Sequence, residues 1–235
     1  YKELDEIWVI ARSEKKLEEI KKSHKTYIRI FAGDMEEDLV YKQVKNRLEN
    51  QNPDIRMLVN AAGFGKTGTV EEIAKEDKKL QLRMIDLNCR GLTEMTCTCL
   101  PWMHKGTRIV NLASAAAFCP QANFAVYAAT KAYVLSFSRS LAAELKEKGI
   151  SVTAVCPGPV DTPFFEVSGK LTGGMKEAVM ADPIQVVKQA LIDAKYKKEV
   201  SVYGMAMKGA EAATKVLPHG MILKAMSVMD KITKE

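Results

Sequence analysis

Ser114, Tyr127 and Lys131 have the residue types and the spacing of a proton-transfer site. Tyr127 and Lys131 lie four residues apart, so on a helix they would share one face. A nearby ammonium favours the phenolate form of tyrosine, whose pKa is ordinarily about 10. The pair therefore predicts that Tyr127 acts as a general acid and base.

Sequence context separates this pair from a second one with the same spacing, Tyr41 and Lys45. No serine lies thirteen residues before Tyr41, whereas Ser114 lies thirteen residues before Tyr127 and ends the apolar run RIVNLAS. That run predicts a buried strand, and open α/β sheets place their chemistry at the carboxyl ends of strands. We therefore predict a site at Ser114, Tyr127 and Lys131, and none at the second pair.

The elements that must position these residues alternate between strands and helices. Apolar runs predict strands at 6–11, 26–32, 55–60, 108–113, 150–156 and 199–203, and helical patterns predict helices at 13–22, 36–48, 76–103, 124–148 and from 183 onward. Short alternating units imply right-handed crossovers and a parallel sheet. We predict a single-domain α/β fold, a doubly wound, Rossmann-like parallel sheet with helices on both faces.

Three further segments carry expectations of their own. Asn88 and Gly91 are poor helix formers in the middle of the helix 76–103, so they predict a local distortion. Residues 164–180 predict a substrate flap, whose apolar side chains would line a pocket: Phe164, Phe165, Leu171 and Met175. The C-terminal tail, 205–235, predicts amphipathic helices broken near Pro218 that pack on the body or on a partner rather than on a membrane.

Composition narrows the class of protein. A chain of 235 residues that is 47% hydrophobic can hold one substantial core. Its net charge of +6 is scattered along the chain, which suits a phosphate-bearing ligand and does not favour nucleic acid. No apolar run approaches the roughly 20 residues of a membrane span, and no secretory signal opens the chain, so we expect a cytoplasmic protein. Cysteines without a C-x-x-C pair predict small buried thiols and no metal site.

Taken together, the motifs resemble the short-chain dehydrogenase/reductase family. In the family's order, the chain contains Asn60-Ala61-Ala62-Gly63, Asn88, Ser114, Tyr127-x-x-x-Lys131 and Pro157-Gly158-x-Val160-x-Thr162-Pro163. The resemblance runs from about Glu6 to Tyr203. It implies an oxidoreductase that interconverts a carbonyl and a secondary alcohol by hydride transfer. It also implies a homodimer or homotetramer formed through the helices 76–103 and 124–148.

The resemblance also implies a role for each catalytic residue. Tyr127 would give its proton to the carbonyl oxygen during reduction, and Ser114 would hydrogen-bond the same oxygen. Lys131 would lower the pKa of Tyr127 and hold the ribose of the nicotinamide. Asn88 would anchor a water molecule that links the lysine to solvent.

Cofactor contacts follow from the same resemblance. The backbone of Asn60, Ala61 and Gly63 would approach adenosine, and Asp34 would meet the adenine amine. The nicotinamide carboxamide would contact the turn made of Pro157, Gly158, Val160 and Thr162, although the family commonly has asparagine where this chain has Cys156.

The end of the first strand predicts which dinucleotide is preferred. An acidic residue at this position binds the ribose 2′-hydroxyl of NAD, whereas arginine accommodates the 2′-phosphate of NADP. The chain has Arg12-Ser13 there, so we predict NADP(H) in preference to NAD(H). The alternative is that Arg12 is only a solvated charge at the start of a helix.

The family's glycine-rich phosphate turn does not occur in this sequence. In a doubly wound sheet, the strand before that turn lies between the strands predicted at 6–11 and 55–60, and without it both lack an inner partner. We therefore expect that a strand and a glycine-rich turn, roughly two dozen residues by the family resemblance, precede Tyr1 in the natural chain.

Two other functions remain open on the same scaffold. A nucleotide-sensing protein would bind NAD(P) without chemistry, because fold alone does not determine activity. Such a sensor would not need Asn88, Ser114, Tyr127 and Lys131 together. An epimerase or dehydratase would use bound cofactor transiently and show no net consumption of NADPH. The sequence leaves the substrate open among a ketone, an acyl chain and a sterol.

Overall fold

The strands of the protein pair in parallel, as the alternation of strands and helices predicts. The computed structural model describes residues 4–164, 168 and 180–232. Its strands are β1 Glu6–Ala11, β2 Tyr27–Ala32, β3 Ile55–Asn60, β4 Met103–Leu112, β5 Ser151–Val155 and β6 Val200–Ser201. In β4, neighbouring side chains point to opposite faces: Ile109 packs in one hydrophobic cluster and Val110 in another. Both faces of the sheet are therefore covered.

Helices cover these faces and form, with the sheets, one α/β domain. They are α1 Glu14–Ser23, α2 Asp38–Gln51, α3 Val70–Glu76, α4 Leu80–Ile85, α5 Leu92–Cys99, α6 Ala125–Leu145, α7 Pro183–Lys195, α8 Met205–Val216 and α9 His219–Ile232. Val44 and Leu48 of α2 and Leu141 of α6 lie in the cluster that contains Ile109. Ala190 and Ala194 of α7 lie in the cluster that contains Val110.

The described strands form two sheets. One pairs β1 with β2, and the other has the order β3-β4-β5-β6. Both sheets contribute to one core, since Trp8 of β1 and Leu58 of β3 pack against the same cluster. Val59 of β3 remains 52% exposed. Within the described residues β1 and β3 do not pair with each other, and the strand expected between them stays a prediction.

The extent predicted for the helix 76–103 is wrong. A separate helix, α3, begins after Thr69, because the Thr69 hydroxyl accepts the Glu72 backbone N–H at 3.1 Å while the Glu72 carboxylate accepts the Thr69 N–H at 2.8 Å. The chain turns at Asp77 before α4 begins. At the other end, Pro101 lies in a 3₁₀ turn, and Met103 already belongs to β4.

The distortion predicted around Asn88 and Gly91 is confirmed. Residues Asp86–Gly91 form a π-helical segment between α4 and α5. Such a segment holds one extra residue per turn and often lies at a functional site. A Cβ at Gly91 would lie 2.9 Å from the Tyr41 hydroxyl oxygen, so a larger residue would push against α2.

The break of the tail near Pro218 is also confirmed, since α8 ends at Val216 and α9 begins at His219. In the described structure every residue of α8 keeps some exposure, and Met207 is its contact with the core. No helix among the described residues has both the length and the apolarity to cross a membrane. Most of the predicted flap, including Phe165, Leu171 and Met175, lies outside the described residues.

Candidate active site

Ser114 and Tyr127 are brought together as predicted. Ser114 follows β4 and starts a 3₁₀ turn, with its hydroxyl accepting the Ala116 backbone N–H at 3.2 Å. Tyr127 lies in the first turn of α6 and is 7% exposed. Burial raises the pKa of Tyr127 to about 12, and a hydrogen bond with the Ser114 side chain acts in the opposite direction.

Lys131 lies one turn further along α6 and is also buried. Its Nζ donates a hydrogen bond to the Leu112 carbonyl at 2.7 Å and lies 5.7 Å from the centroid of the Tyr127 ring. Burial lowers the pKa of Lys131 to about 8. No charge effect of Lys131 contributes to the rise of the Tyr127 pKa, so the predicted lowering by Lys131 stays a prediction. Burial moves the two pKa values apart, because the ordinary values of 10 for Tyr127 and 10.5 for Lys131 become about 12 and about 8.

Asn88 holds the loop after β3 against α6. Its Oδ1 accepts the Phe64 backbone N–H at 3.0 Å, while its Nδ2 donates to the Phe64 carbonyl at 2.9 Å and to the Thr130 hydroxyl at 3.0 Å. Both amide hydrogens are thus used within the protein. The predicted role of Asn88 as a water anchor cannot come from these hydrogens, and the structure assigns its side chain to a clamp.

Gly63 permits a close approach within the site. A Cβ at this position would lie 2.8 Å from Asn88 Oδ1 and 3.4 Å from Lys131 Nζ. Any larger residue would press on these two polar groups. The small residues Ala61 to Gly63 therefore serve the packing of the site itself, besides leaving the backbone accessible at the end of β3.

A chain of buried polar side chains runs beneath the site. Asn60 Nδ2 donates to the Thr96 hydroxyl at 3.0 Å and to Asn111 Oδ1 at 2.9 Å, and Asn111 Nδ2 donates to the Ser138 hydroxyl at 2.9 Å. The Asn60 amide is therefore used inside the protein, which leaves its backbone for a cofactor. Asn111 and Thr130 were not predicted from the sequence. Asn111 is the polar residue within the apolar run RIVNLAS, and this pattern could have identified it.

The predicted adenosine-side residues follow the ends of β1 and β2. Ala11 pairs with Ala32, so Arg12 and Asp34 come after neighbouring strand ends. Arg12 is exposed and makes no ion pair with the residues that the structure describes. The Ser13 hydroxyl caps α1, and Asp34 Oδ1 accepts the Glu36 backbone N–H at 3.0 Å.

The turn that begins at Pro157 lies beside Ser114. The Pro157 carbonyl accepts the Ala115 backbone N–H at 2.8 Å, which ties the turn to the Ser114 loop. A Cβ at Gly158 would lie 2.5 Å from Met207 Sδ, so a larger residue would require the flexible Met207 side chain of α8 to move.

Val160 and Thr162 complete this turn. Val160 forms a parallel bridge with Ala181, and the Thr162 hydroxyl lies 3.4 Å from the Val160 carbonyl. The turn is thereby held on one side by the loop of Ser114 and on the other by Ala181.

The prediction that Tyr41 and Lys45 form no site agrees with their surroundings. Tyr41 is 3% exposed and donates a hydrogen bond to the Met35 carbonyl at 2.6 Å, whereas Lys45 points to solvent near Glu49. The prediction of buried cysteines holds for Cys99 and Cys156 but is wrong for Cys97, which is exposed on α5.

Comparison with known proteins agrees with this geometry. The sequence profile of the short chain dehydrogenase family matches residues 2–170. An uncharacterised oxidoreductase of Staphylococcus epidermidis is 31% identical over 162 residues, which cover 68% of this chain and 69% of the relative. An NADPH-dependent aldehyde reductase from the chloroplast of Arabidopsis thaliana is 33% identical over 153 residues, 65% of this chain and 52% of that protein.

Solved structures show the same fold. A short-chain dehydrogenase from Sphingobium yanoikuyae, solved in complex with NADPH, superposes with a TM-score of 0.72. The two are 23% identical, and the match covers 91% of this chain and 87% of that one. The family match spans most of the chain and includes the Ser114, Tyr127 and Lys131 positions. The chain therefore belongs to the short-chain dehydrogenase family.

Proposed function

We propose that the protein is an NADP(H)-dependent oxidoreductase that interconverts a carbonyl and a secondary alcohol. The observation that carries this proposal is that Ser114, which follows β4, lies close enough to Tyr127 to affect its pKa, with Lys131 buried one turn further along α6. Two charged residues that follow strand ends suit a dinucleotide. The exposed Arg12 would bind a phosphate, and Asp34 would bind the adenine. When bound, the nicotinamide supplies or accepts the hydride.

In the proposed mechanism, the residues of the chain move the proton and hold the reactants. Tyr127 gives its phenolic proton to the carbonyl oxygen during reduction and takes it back during oxidation, and Ser114 fixes the position of that oxygen. Lys131 and the backbone of Ala61 to Gly63 would hold the cofactor. The turn of Pro157, Gly158, Val160 and Thr162 would hold its nicotinamide, and Arg12 with Ser13 would hold its adenosine.

The surroundings of Tyr127 support an apolar substrate. Phe64, Phe124 and Phe164 pack around the Tyr127 ring together with Met84. A groove of about 240 Å³ beside the Pro157 turn adds further apolar walls, with lining residues that include Pro159, Met180, Met205 and Met207. Methionine adapts its shape to irregular apolar ligands. We therefore propose a ketone with an apolar body as substrate.

The experiment that tests the activity is NADPH oxidation with a panel of apolar ketones and aldehydes. We expect Tyr127→Phe to lower kcat by about 10²-fold or more, since it removes the general acid. Tyr196→Phe is the matched control, because it removes the same hydroxyl from a residue that is 70% exposed, and it should retain activity. Full activity of the Tyr127→Phe variant would refute the mechanism, and cofactor binding without turnover would favour the sensor function.

A second experiment tests the choice of cofactor. We expect a lower KM for NADPH than for NADH, and a loss of this preference by about tenfold in Arg12→Ala, because the guanidinium would pair with the 2′-phosphate. The Arabidopsis relative is named an NADPH-dependent reductase, which supports this expectation. Lys15→Ala, an exposed cation in the first turn of α1, is the control. A preference of the wild type for NADH would overturn the proposal.

A further inference from the structure

The loop after β3, residues 61–69, lies against the ring of Tyr127. A Cβ at Gly65 would lie 2.8 Å from Tyr127 Cδ2, 2.9 Å from Phe164 Cζ and 3.0 Å from Phe124 Cζ. One glycine thus lies against three aromatic rings. Since real Cβ atoms do not approach so closely, any side chain at position 65 would displace at least one ring.

The same rings enclose Tyr127. The Phe124 ring stacks on the Tyr127 ring with centroids 4.2 Å apart, and the Phe164 ring is tilted against it at 5.5 Å. These contacts leave 7% of Tyr127 exposed. The loop at Gly65 therefore adds a third contact to the Tyr127 ring besides the two phenylalanines.

Hydrogen bonds fix this loop at both of its ends. The backbone N–H and the hydroxyl of Thr67 both donate to the Ser168 carbonyl, at 2.7 and 2.6 Å. The Gly68 N–H donates to the Asn123 carbonyl at 2.8 Å, just before α6. Together with the clamp of Asn88 on Phe64, these bonds hold Gly65 in place relative to α6 and to Phe164.

We propose that Gly65 and Thr67 are positioning residues for Tyr127: the loop that carries them holds the phenol between Phe124 and Phe164 and excludes water from it. This inference rests on the proposed function, in which Tyr127 carries the proton. Neither residue reacts. Gly65 acts by its lack of a side chain, and Thr67 acts by bonding the loop to the Ser168 carbonyl.

Two substitutions test the proposal. Gly65→Ala adds the Cβ that meets the three rings, and Thr67→Val keeps the shape of the side chain but removes its hydroxyl. We expect kcat to fall at least tenfold in Gly65→Ala and about threefold in Thr67→Val, with the KM for NADPH unchanged within about twofold. The matched controls are Gly209→Ala, where nothing lies within 4 Å, and Thr214→Val, which also loses one hydroxyl bond to a carbonyl.

A second readout does not depend on turnover. The readout is tyrosinate absorbance during an alkaline titration. Each variant is compared with the same variant that also carries Tyr127→Phe, and the difference between the two curves reports Tyr127 alone. Its neighbour Lys131, one turn along the same helix, is kept in all variants, as are Arg139 and Glu144 further along α6. We expect the midpoint of Tyr127 to fall from about 12 in the wild type toward its ordinary value of about 10 in Gly65→Ala, because water reaches the phenol.

The outcomes separate the two proposals. A wild type without carbonyl turnover would remove the proposed function, whereas the titration would still show whether the loop encloses Tyr127. Unchanged kcat together with an unchanged midpoint in Gly65→Ala would overturn the positioning role. If Gly65→Ala does not fold, Phe164→Leu removes one enclosing ring without adding atoms, and the same two readouts apply to it.

Discussion

At the scale of single residues, Tyr127 and Lys131 affect each other less than burial affects them both. Burial disfavours the charged form of each group, so the pKa of the tyrosine rises to about 12 and that of the lysine falls to about 8. Lys131 thus changes its charge close to neutral pH, while Tyr127 keeps its proton. A phenol that retains its proton is poised to act as the acid in carbonyl reduction.

The lowered pKa of Lys131 predicts a pH dependence of stability. The pKa of Lys131 is about 8 in the folded protein and 10.5 ordinarily. Between these pH values Lys131 holds more protons in the unfolded chain than in the folded one. The contribution of Lys131 to the free energy of unfolding therefore rises with pH over this range. Lys131→Met removes this contribution. The free energy of unfolding of the wild type minus that of the variant should increase from about pH 8 to 10.5, as measured by denaturant titration. Parallel curves for the two proteins would contradict the buried lysine.

At the scale of elements, α7 and β6 are joined by a buried carboxylate. Asp193 is 3% exposed; it accepts a hydrogen bond from the Ser201 hydroxyl at 2.8 Å and pairs with Lys198 Nζ at 2.7 Å. Burial alone would raise the pKa of Asp193, but hydrogen bonds from Lys198, Ser201 and Gln189 outweigh it and lower the pKa. The ionised form therefore helps to fix β6 at the edge of the sheet.

We expect Asp193→Asn to lower the free energy of unfolding by about 1–3 kcal/mol, since it removes the buried charge that accepts a hydrogen bond from Ser201 and pairs with Lys198. The loss should shrink as the pH falls through the lowered pKa of Asp193, because the wild type then loses the same charge. Glu71→Gln is the control: its ion pair with Lys75 is exposed on both sides and should contribute less than about 0.5 kcal/mol. Equal losses for the two variants in urea denaturation would refute this assignment.

At the scale of the whole molecule, apolar side chains remain uncovered on two helices that pack beside each other. Leu82 is 60% exposed and Ile85 44% exposed on α4, and Tyr133 is 41% exposed on α6. The helices predicted at 76–103 and 124–148 to mediate assembly contain these residues. We propose that a second copy of the chain covers them in a homodimer or homotetramer.

Sedimentation equilibrium tests this assembly. We expect a dimer or tetramer for the wild type and a shift toward monomer for the double variant Leu82→Glu, Tyr133→Glu, since two carboxylates would be buried without partners. Leu39→Glu changes a residue of equal exposure on α2 and should leave the mass unchanged. A wild type that sediments as a monomer would remove the proposal.

The sequence by itself determined the order of the strands and which residues come together at the candidate site. Strands β1 and β3 begin and end where the apolar runs predict, because a buried parallel strand needs a continuous apolar run. The spacing of Tyr127 and Lys131 fixed their common face of α6, because helical periodicity is a local property. The proximity of Ser114 and Tyr127 followed from their positions at a strand end and a helix start.

Only the tertiary structure decided the burial and the hydrogen bonding of these groups. Whether a tyrosine's pKa rises or falls depends on how much water its neighbours exclude, and Phe124, Phe164 and Gly65 reach Tyr127 from three different segments. The use of both Asn88 amide hydrogens depends on Phe64 and Thr130, which are distant in sequence. The solvent exposure and the hydrogen bonds of a side chain depend on contacts with segments that are distant in sequence, so they cannot be predicted from a local sequence pattern.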